Sequence, residues 1–391
     1  MIAICRFLMK KIIKNKLNLF VFLLMICVVS ITFYFNARTA TYVSLDYRIE
    51  KSIHENEPKL IEHEKELETL DKNSEEYSVR KSTLERQKEY FQRDTQILEA
   101  LKKKQWDLAY HLQFLHENEN YQVASNEPNV SKELVTAINR EKQKYSVLSN
   151  LNIQEHSLDY PTYGIDNVIW ITTYIFPTIF ILCIIFVLSQ LFTSRFKGNL
   201  DSVRLLPCTH WKYTLASLIV AITYSLVFLG IVLVIGFILA SLDSGVGSLI
   251  YPYLFFDVED KVYYFKPIMD ILFPSVLLLV LSLIIVVQFV YFVGLIFKNN
   301  LLTLFISILT VLGTLFGIHS IQPIQTVAQL LPFTYLRAFD VSSGILSKTI
   351  DNKSVNFETG LLVLLVSIVI LSIILFVCDK INSVNKVKNK I

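Results

Sequence analysis

Between two long uncharged stretches of this 391-residue chain lies a short segment, 194–213, that carries Arg195, Lys197, Arg204 and Lys212 against Asp201 as its one acid. Leu200, Leu205 and Leu206 are interleaved with those cations, and Gly198 and Pro207 punctuate the segment. Such a set makes or breaks no covalent bond. It suits docking, in which aliphatic side chains enter a partner's groove while guanidinium and ammonium groups meet an acidic rim. The spacing predicts a helix over 198–206 ended by Pro207, with Leu205 and Leu206 toward the groove and Arg204 toward the rim. The plainer alternative is a basic loop that only fixes topology.

Groups that would support catalysis are missing from the pattern. The sequence has no Gly-x-x-x-x-Gly-Lys-[Ser/Thr], no Gly-x-Ser-x-Gly and no His-Glu-x-x-His. His54, His63, His111 and His116 are not spaced as a metal-ligand set, and the doubled His-Glu-Asn-Glu at 54–57 and 116–119 reads as a solvated face. His210 and His319 fall near opposite membrane faces and share no site. The expectation is a chain with no catalytic residue, cofactor or metal of its own, and no nucleic-acid partner.

Six stretches free of Asp, Glu, Lys and Arg position this segment: 17–35, 168–192, 213–242, 271–297, 301–318 and 361–378. About 20 helical residues cross a bilayer core, so each is read as a transmembrane helix. Their lack of charge argues against an ion-coupled transporter, which needs a titratable or cation-binding group at mid-membrane. Pro177 and Pro274 are weak signs of broken helices, and Gly313 and Gly317 could allow close helix approach.

The net charge of +3 conceals a sorting by sign. Arg6, Lys10, Lys11, Lys14 and Lys16 precede the first span, the 193–212 loop is basic, Lys298 lies between the fourth and fifth spans, and Lys380, Lys386, Lys388 and Lys390 follow the sixth. The loop after the third span is instead acidic, with Asp243, Asp257, Glu259, Asp260 and Asp270. The positive-inside rule then places both termini and the 193–212 loop in the cytoplasm, and 36–167, 243–270 and 319–360 outside. Residues 1–16 read as an amphipathic helix on the inner surface, leading into an uncleaved anchor rather than a signal peptide. Residues 379–391 form a cytoplasmic tail.

The 36–167 segment is charged and free of cysteine, so helix packing must hold it together. Apolar residues recur by sevens at Ile53, Leu60 and Leu67, and at Tyr77, Leu84, Phe91 and Leu98, continuing through Leu101, Leu108 and Leu115. That is a coiled-coil signature. It predicts two long antiparallel helices broken at 71–74, then a third from Ser131 to about Leu148. The predicted fold is therefore an all-α polytopic membrane protein, six transmembrane helices with a helical coiled-coil domain between the first and second.

This layout resembles the permease subunit of a type-2 ABC exporter. The likeness is sharpest in Lys197-Gly198-Asn199-Leu200, then Arg204-Leu205-Leu206-Pro207-Cys208-Thr209-His210 and Lys212. Ser194 and Phe196 stand where the family usually has glutamate, and His210 where it usually has arginine. A weaker echo is Leu331-Pro332-Phe333-Thr334-Tyr335, where the family has a Pro-x-x-Tyr-like stretch in partly re-entrant exterior helices. The resemblance implies ATP and Mg²⁺ bound by a separate cytoplasmic ATP-binding subunit, a second permease copy or homologue, surrounding membrane lipid, and a location in the cytoplasmic membrane. It assigns ATPase coupling to Arg195, Lys197, Gly198, Leu200, Arg204, Leu205, Leu206, Pro207 and Lys212, and Pro332 and Tyr335 to the exterior segment. The uncharged spans favour a hydrophobic or amphipathic cargo: a peptide, a lipid-linked molecule or a drug. A different class, a membrane sensor or scaffold whose coiled coil binds a partner, stands as the alternative.

Overall fold

A computed structural model describes residues 1–197, 200–205 and 209–388; for Lys197, Leu200, Arg204, Leu205, Asp379 and 381–388 it is the backbone that is described. Among the described residues, six helices are long and apolar enough to cross a membrane. They are α2 (Lys16–Val43), the composite Gly164–Thr193, α9 (His210–Asp243), α10 (Ile268–Phe297), α11 (Asn300–Ser320) and, within α15 (Phe357–Lys388), Phe357–Cys378. The second and fourth are mostly buried, 72% and 61% of their most apolar windows, against 22% and 17% for the first and sixth. The second and fourth spans therefore form the centre of the bundle, with the first and sixth at its rim.

The composite span consists of α7 (Gly164–Trp170), a π-helical stretch Ile171–Phe180 and α8 (Ile181–Thr193). Pro177 lies inside the π-helical stretch. Proline donates no backbone hydrogen bond and its ring crowds the preceding turn, so a wider turn accommodates it without breaking the span. In front of the first span, α1 (Ile2–Lys14) buries Leu8 and Ile12 and packs on α9, α2 and α8, while Phe7 and Ile13 stay exposed. Gly313 has open space around it and Gly317 faces Ile324, so this glycine pair joins no two spans within the chain.

Between the first two spans lie α3 (Leu45–Thr69), α4 (Glu75–Lys102), α5 (Trp106–Asn126) and α6 (Lys132–Leu148). Ser74 caps α4 by accepting from Tyr77 N at 3.1 Å. Across the α3–α4 pair, Lys88 meets Glu64 at 2.6 Å and Arg80 meets Glu66 at 2.7 Å. The expected second long helix does not run on through Leu115. It stops at Lys102, and the chain reverses through Lys104 in the left-handed region (φ 58°). Gln105 N donates to Ala100 O and Lys104 N to Leu101 O, the two bonds of a Schellman motif. With lysine rather than glycine at the left-handed position, the stop carried no sequence signal. Leu108 and Leu115, counted in the heptads, are 46% and 37% exposed, and α5 buries Ala109, Tyr110 and Gln113 instead. The domain is a succession of four helices, and the heptads do not describe α5.

A left-handed residue with a Cβ is strained by roughly 1 kcal/mol. Lys104→Gly is therefore expected to raise the midpoint of thermal unfolding slightly, measured on the detergent-solubilised chain. The α4–α5 pair is also tied by Arg93, whose two terminal nitrogens each lie 2.9 Å from a Glu119 carboxylate oxygen. Those hydrogen bonds, together with the Arg93 charge, outweigh desolvation and hold the Glu119 carboxyl below its ordinary 4.5. The pair contributes stability above pH 4.5 that is lost as pH falls through the lowered value. Because Glu119 is partly exposed, solvent screening keeps the contribution small. Unfolding midpoints of the chain and of Glu119→Gln are expected to converge as pH falls through that lowered value.

The fold is not entirely helical. The 243–270 loop holds an antiparallel pair, β3 (Pro252–Asp257) and β4 (Val262–Pro267), in register from Pro252↔Pro267 to Asp257↔Val262. Tyr253, Tyr263 and Tyr264 are of a type that suits a membrane interface, yet clustered aromatic residues equally favour strands. Phe256 N donates to Ser343 O at 2.8 Å, docking the hairpin onto α13 (Ala338–Ser342). The next residue, Gly344, has φ 76°, and a Cβ there would lie 2.3 Å from Phe256 O. Only glycine fits that turn.

Candidate coupling site

The 194–213 segment begins where α8 ends. Phe196 and Lys197 (β1) pair with Leu200 and Asp201 (β2), Phe196 opposite Asp201, and one 3-10 turn, Ser202–Leu205, follows. Ser202 N closes the small hairpin onto Arg195 O at 2.9 Å, and Val203 N bonds Asp201 Oδ1 at 3.1 Å. The expected helix over 198–206 is thus replaced, in the described part, by a strand pair and a 3-10 turn. An aspartate that accepts from a backbone N–H two residues on favours a turn over a helix start here.

Arg195 is 3% exposed. Its Nη2 lies 3.3 Å from Asp201 Oδ2, and its Nη1 donates to Tyr291 Oη at 3.0 Å. The guanidinium also lies against the rings of Phe196, Tyr213 and Tyr291, at 4.6, 5.8 and 5.9 Å from their centroids. Tyr291 Oη is 2.7 Å from Thr214 Oγ1, and the Tyr291 ring meets Phe192 edge-on at 4.8 Å. One guanidinium thereby joins the end of the second span, the loop hairpin, α9 and α10. Arginine suits this post because its planar fork serves two acceptors at once and its faces accept aromatic rings.

The model of one family, ABC-2 family transporter protein, matches residues 17–378. The chain belongs to this family. No curated protein and no solved structure shows significant similarity to it. The protein is accordingly a permease, the multi-pass membrane component of an ABC transporter, and the family associates with an ABC ATP-binding subunit.

The structure distributes the permease's sequence-assigned residues unequally. Arg195 is inside the bundle and Lys212, on the first turn of α9, is exposed. Lys197, Leu200, Arg204 and Leu205 lie along the strand pair and the 3-10 turn, with Lys197 opposite Leu200. Gly198, Leu206 and Pro207 lie outside the described residues. Pro332 opens a 3-10 turn, Pro332–Leu336, and Tyr335 is fully buried with its hydroxyl donating to Gln329 O at 2.7 Å. A Cβ on Gly360 of α15 would lie 2.6 Å from the Tyr335 ring. Tyr291 escaped the sequence reading, since a tyrosine in an apolar run looks like any other core residue until its partner is known.

A second polar junction occupies the opposite end of the permease's composite span. His156 Nδ1 lies 2.9 Å from Asp166 Oδ2, the two side chains 5% and 0% exposed. The imidazole is stacked between Tyr163 and Tyr251, with centroids at 3.7 and 4.5 Å. Tyr251 Oη donates to His156 O at 2.6 Å. Next to it, Glu155 takes Lys144 at 2.5 Å and Tyr145 Oη at 3.1 Å, and Arg48 donates to the same Tyr145 oxygen at 2.7 Å. Burial, the largest single influence, lowers the Lys144 ammonium, but the charge and hydrogen bond of Glu155 together with Tyr251 and Glu141 outweigh it and raise the group above its ordinary value. The network runs from α3 and α6 of the inserted domain to Asp166 at the head of the second span.

Proposed function

We propose that this permease exports a hydrophobic or amphipathic cargo (a peptide, a lipid-linked molecule or a drug) across the cytoplasmic membrane. It works as one of a pair, with identical or related partner, and its cytoplasmic ATP-binding subunits hold the ATP and Mg²⁺. Charge sorting along the chain supports cytoplasmic termini, a cytoplasmic 193–212 loop and inserted helices on the outer side. The observation that carries coupling through that loop is Arg195. A loop that met its partner only at its surface would leave the spans unmoved, whereas this one is keyed into α9 and α10 through a buried guanidinium. Displacement of the loop by ATP-driven closure of the partner then has a rigid path to the end of the second span, α9 and α10.

Lys197→Glu and Arg204→Glu, reversed together, test the docking half of this reading. The variant is expected to insert normally but to lose most copurification with the ATP-binding subunit and at least tenfold of ATP-dependent transport in vesicles. Normal transport after both reversals would return the loop to a topological role.

A further inference from the structure

At the N-terminal end of the bundle a cleft of about 540 Å³ opens between α1, the end of α8 and the α10–α11 turn. Its polar lining includes Lys11, Asn15, Asn18, Gln190, Lys298 and Asn300, with no acidic side chain among the described residues. Two helices begin at its edge: α2, capped by Asn15, and α11, capped by Asn299, whose Oδ1 accepts from Leu301 N at 2.9 Å. Helix N-termini and two ammonium groups together make a positive potential suited to an anion.

Buried amides in the same lining add a second requirement. Asn18 is 5% exposed and its Nδ2 donates to Ile12 O at 3.0 Å, while its Oδ1 meets no donor; Asn300 Oδ1 likewise meets none. A buried acceptor left without a donor loses its solvation and gains nothing in return. The lining therefore asks for a negative charge and hydroxyl donors in one ligand. Below the polar mouth, Leu182 and Phe186 continue the row of Gln190 at every fourth position as the less buried residues of α8. The spans on either side, α2 packed chiefly on α9 and α11 on α8 and α10, expose Phe20, Leu24, Leu301 and Phe305. A polar, cationic mouth above an apolar trough is the shape of a lipid rather than of a free anion.

We propose that this cleft binds the headgroup of an anionic, hydroxyl-bearing phospholipid, of which phosphatidylglycerol is the simplest probe, its chains lying along α8. The phosphate meets Lys11 and Lys298, and the glycerol hydroxyls donate toward the asparagine oxygens. The bound lipid ties α1 to the start of the spans beside the Lys11–Ser194 hydrogen bond of 2.6 Å, next to the loop that Arg195 anchors. The proposal holds for either orientation of the chain in the membrane.

The test uses the purified full-length permease in detergent, with lipid retention read by native mass spectrometry and stability by thermal unfolding. Phosphatidylglycerol is expected to be retained at least tenfold over both phosphatidylcholine and phosphatidylethanolamine, and to raise the unfolding midpoint. The double variant Lys11→Gln, Lys298→Gly should lose that preference while unfolding no earlier than the parent in phosphatidylcholine. Lys298 stands in the left-handed region (φ 51°), so glycine there removes the charge and relieves the backbone. Equal retention of the three lipids, or a preference that survives the double variant, would overturn the proposal. So would a stabilisation matched by soluble glycerol 1-phosphate, which makes the cleft a site for free phosphates. Loss of the effect on dimerisation would assign the trough to a second copy.

Discussion

Arg195→Ala is expected to abolish ATP-driven transport by this permease, a fall of more than tenfold, while the associated ATP-binding subunit continues to hydrolyse ATP. The guanidinium bridges Asp201 of the loop and Tyr291 of α10. Removing it leaves a mostly buried carboxylate without its counter-charge, and breaking a buried pair in this way costs about 3–5 kcal/mol. A loss of that size also lowers stability, so two further variants separate folding from coupling. Tyr291→Phe keeps the ring against Phe192 but removes the oxygen that accepts from Arg195 and contacts Thr214. It should lower the unfolding midpoint only modestly, since one hydrogen bond to a charged group is worth about 1.5–3 kcal/mol, yet still reduce the ratio of cargo moved to ATP hydrolysed. Arg195→Lys keeps the charge and loses the fork, and should not restore that ratio. Unchanged transport per ATP in Arg195→Ala, measured in sealed vesicles, would remove the guanidinium from the coupling path.

Much of this architecture was legible because membranes impose simple rules. Six uncharged runs of sufficient length leave little choice of secondary structure in lipid, and the Ser74 cap and Ser131 start are strong local signals. The features that were missed share a cause: each depends on a partner distant in sequence or on an atypical residue at a familiar position. Lys104 ends α4 where glycine would have announced the turn. The hairpin of β3 and β4 hides among aromatic residues that also suit a membrane interface. Arg195 reads as one more cation in a basic loop, and only its 3% exposure and its contacts with Asp201 and Tyr291 show that it faces inward. His156 lies ten residues before Asp166, and their proximity depends on the irregular chain between α6 and α7, which no periodicity announces. The documented likeness to a family conveys layout and partner class, whereas the positions that hold the loop to the spans had to come from geometry.

The largest effect on stability is expected from Asp166→Leu. The carboxylate is fully buried at the head of the second span, and His156, stacked between Tyr163 and Tyr251, reaches it at 2.9 Å. Leucine takes similar volume but leaves the imidazole nitrogen facing an apolar group, and the cost of breaking such a pair is about 3–5 kcal/mol. Asp166→Asn, which keeps an acceptor, should cost about 1 kcal/mol. Adding His156→Leu to Asp166→Leu should recover much of the loss, because two apolar residues of suitable volume can replace a buried pair at little cost. The double-mutant cycle on thermal unfolding therefore predicts a coupling of about 2 kcal/mol or more, and additive effects would show that the two side chains act independently. The same variants should loosen the inserted domain from the spans, because His156 N and O are both tied to Tyr251, and neighbouring Glu155 to Lys144 and Tyr145 of α6. Faster amide exchange in α6 and in β3 of Asp166→Leu, with α4 unchanged, is the expected signature of a joint that transmits movement between the second span and the inserted helices.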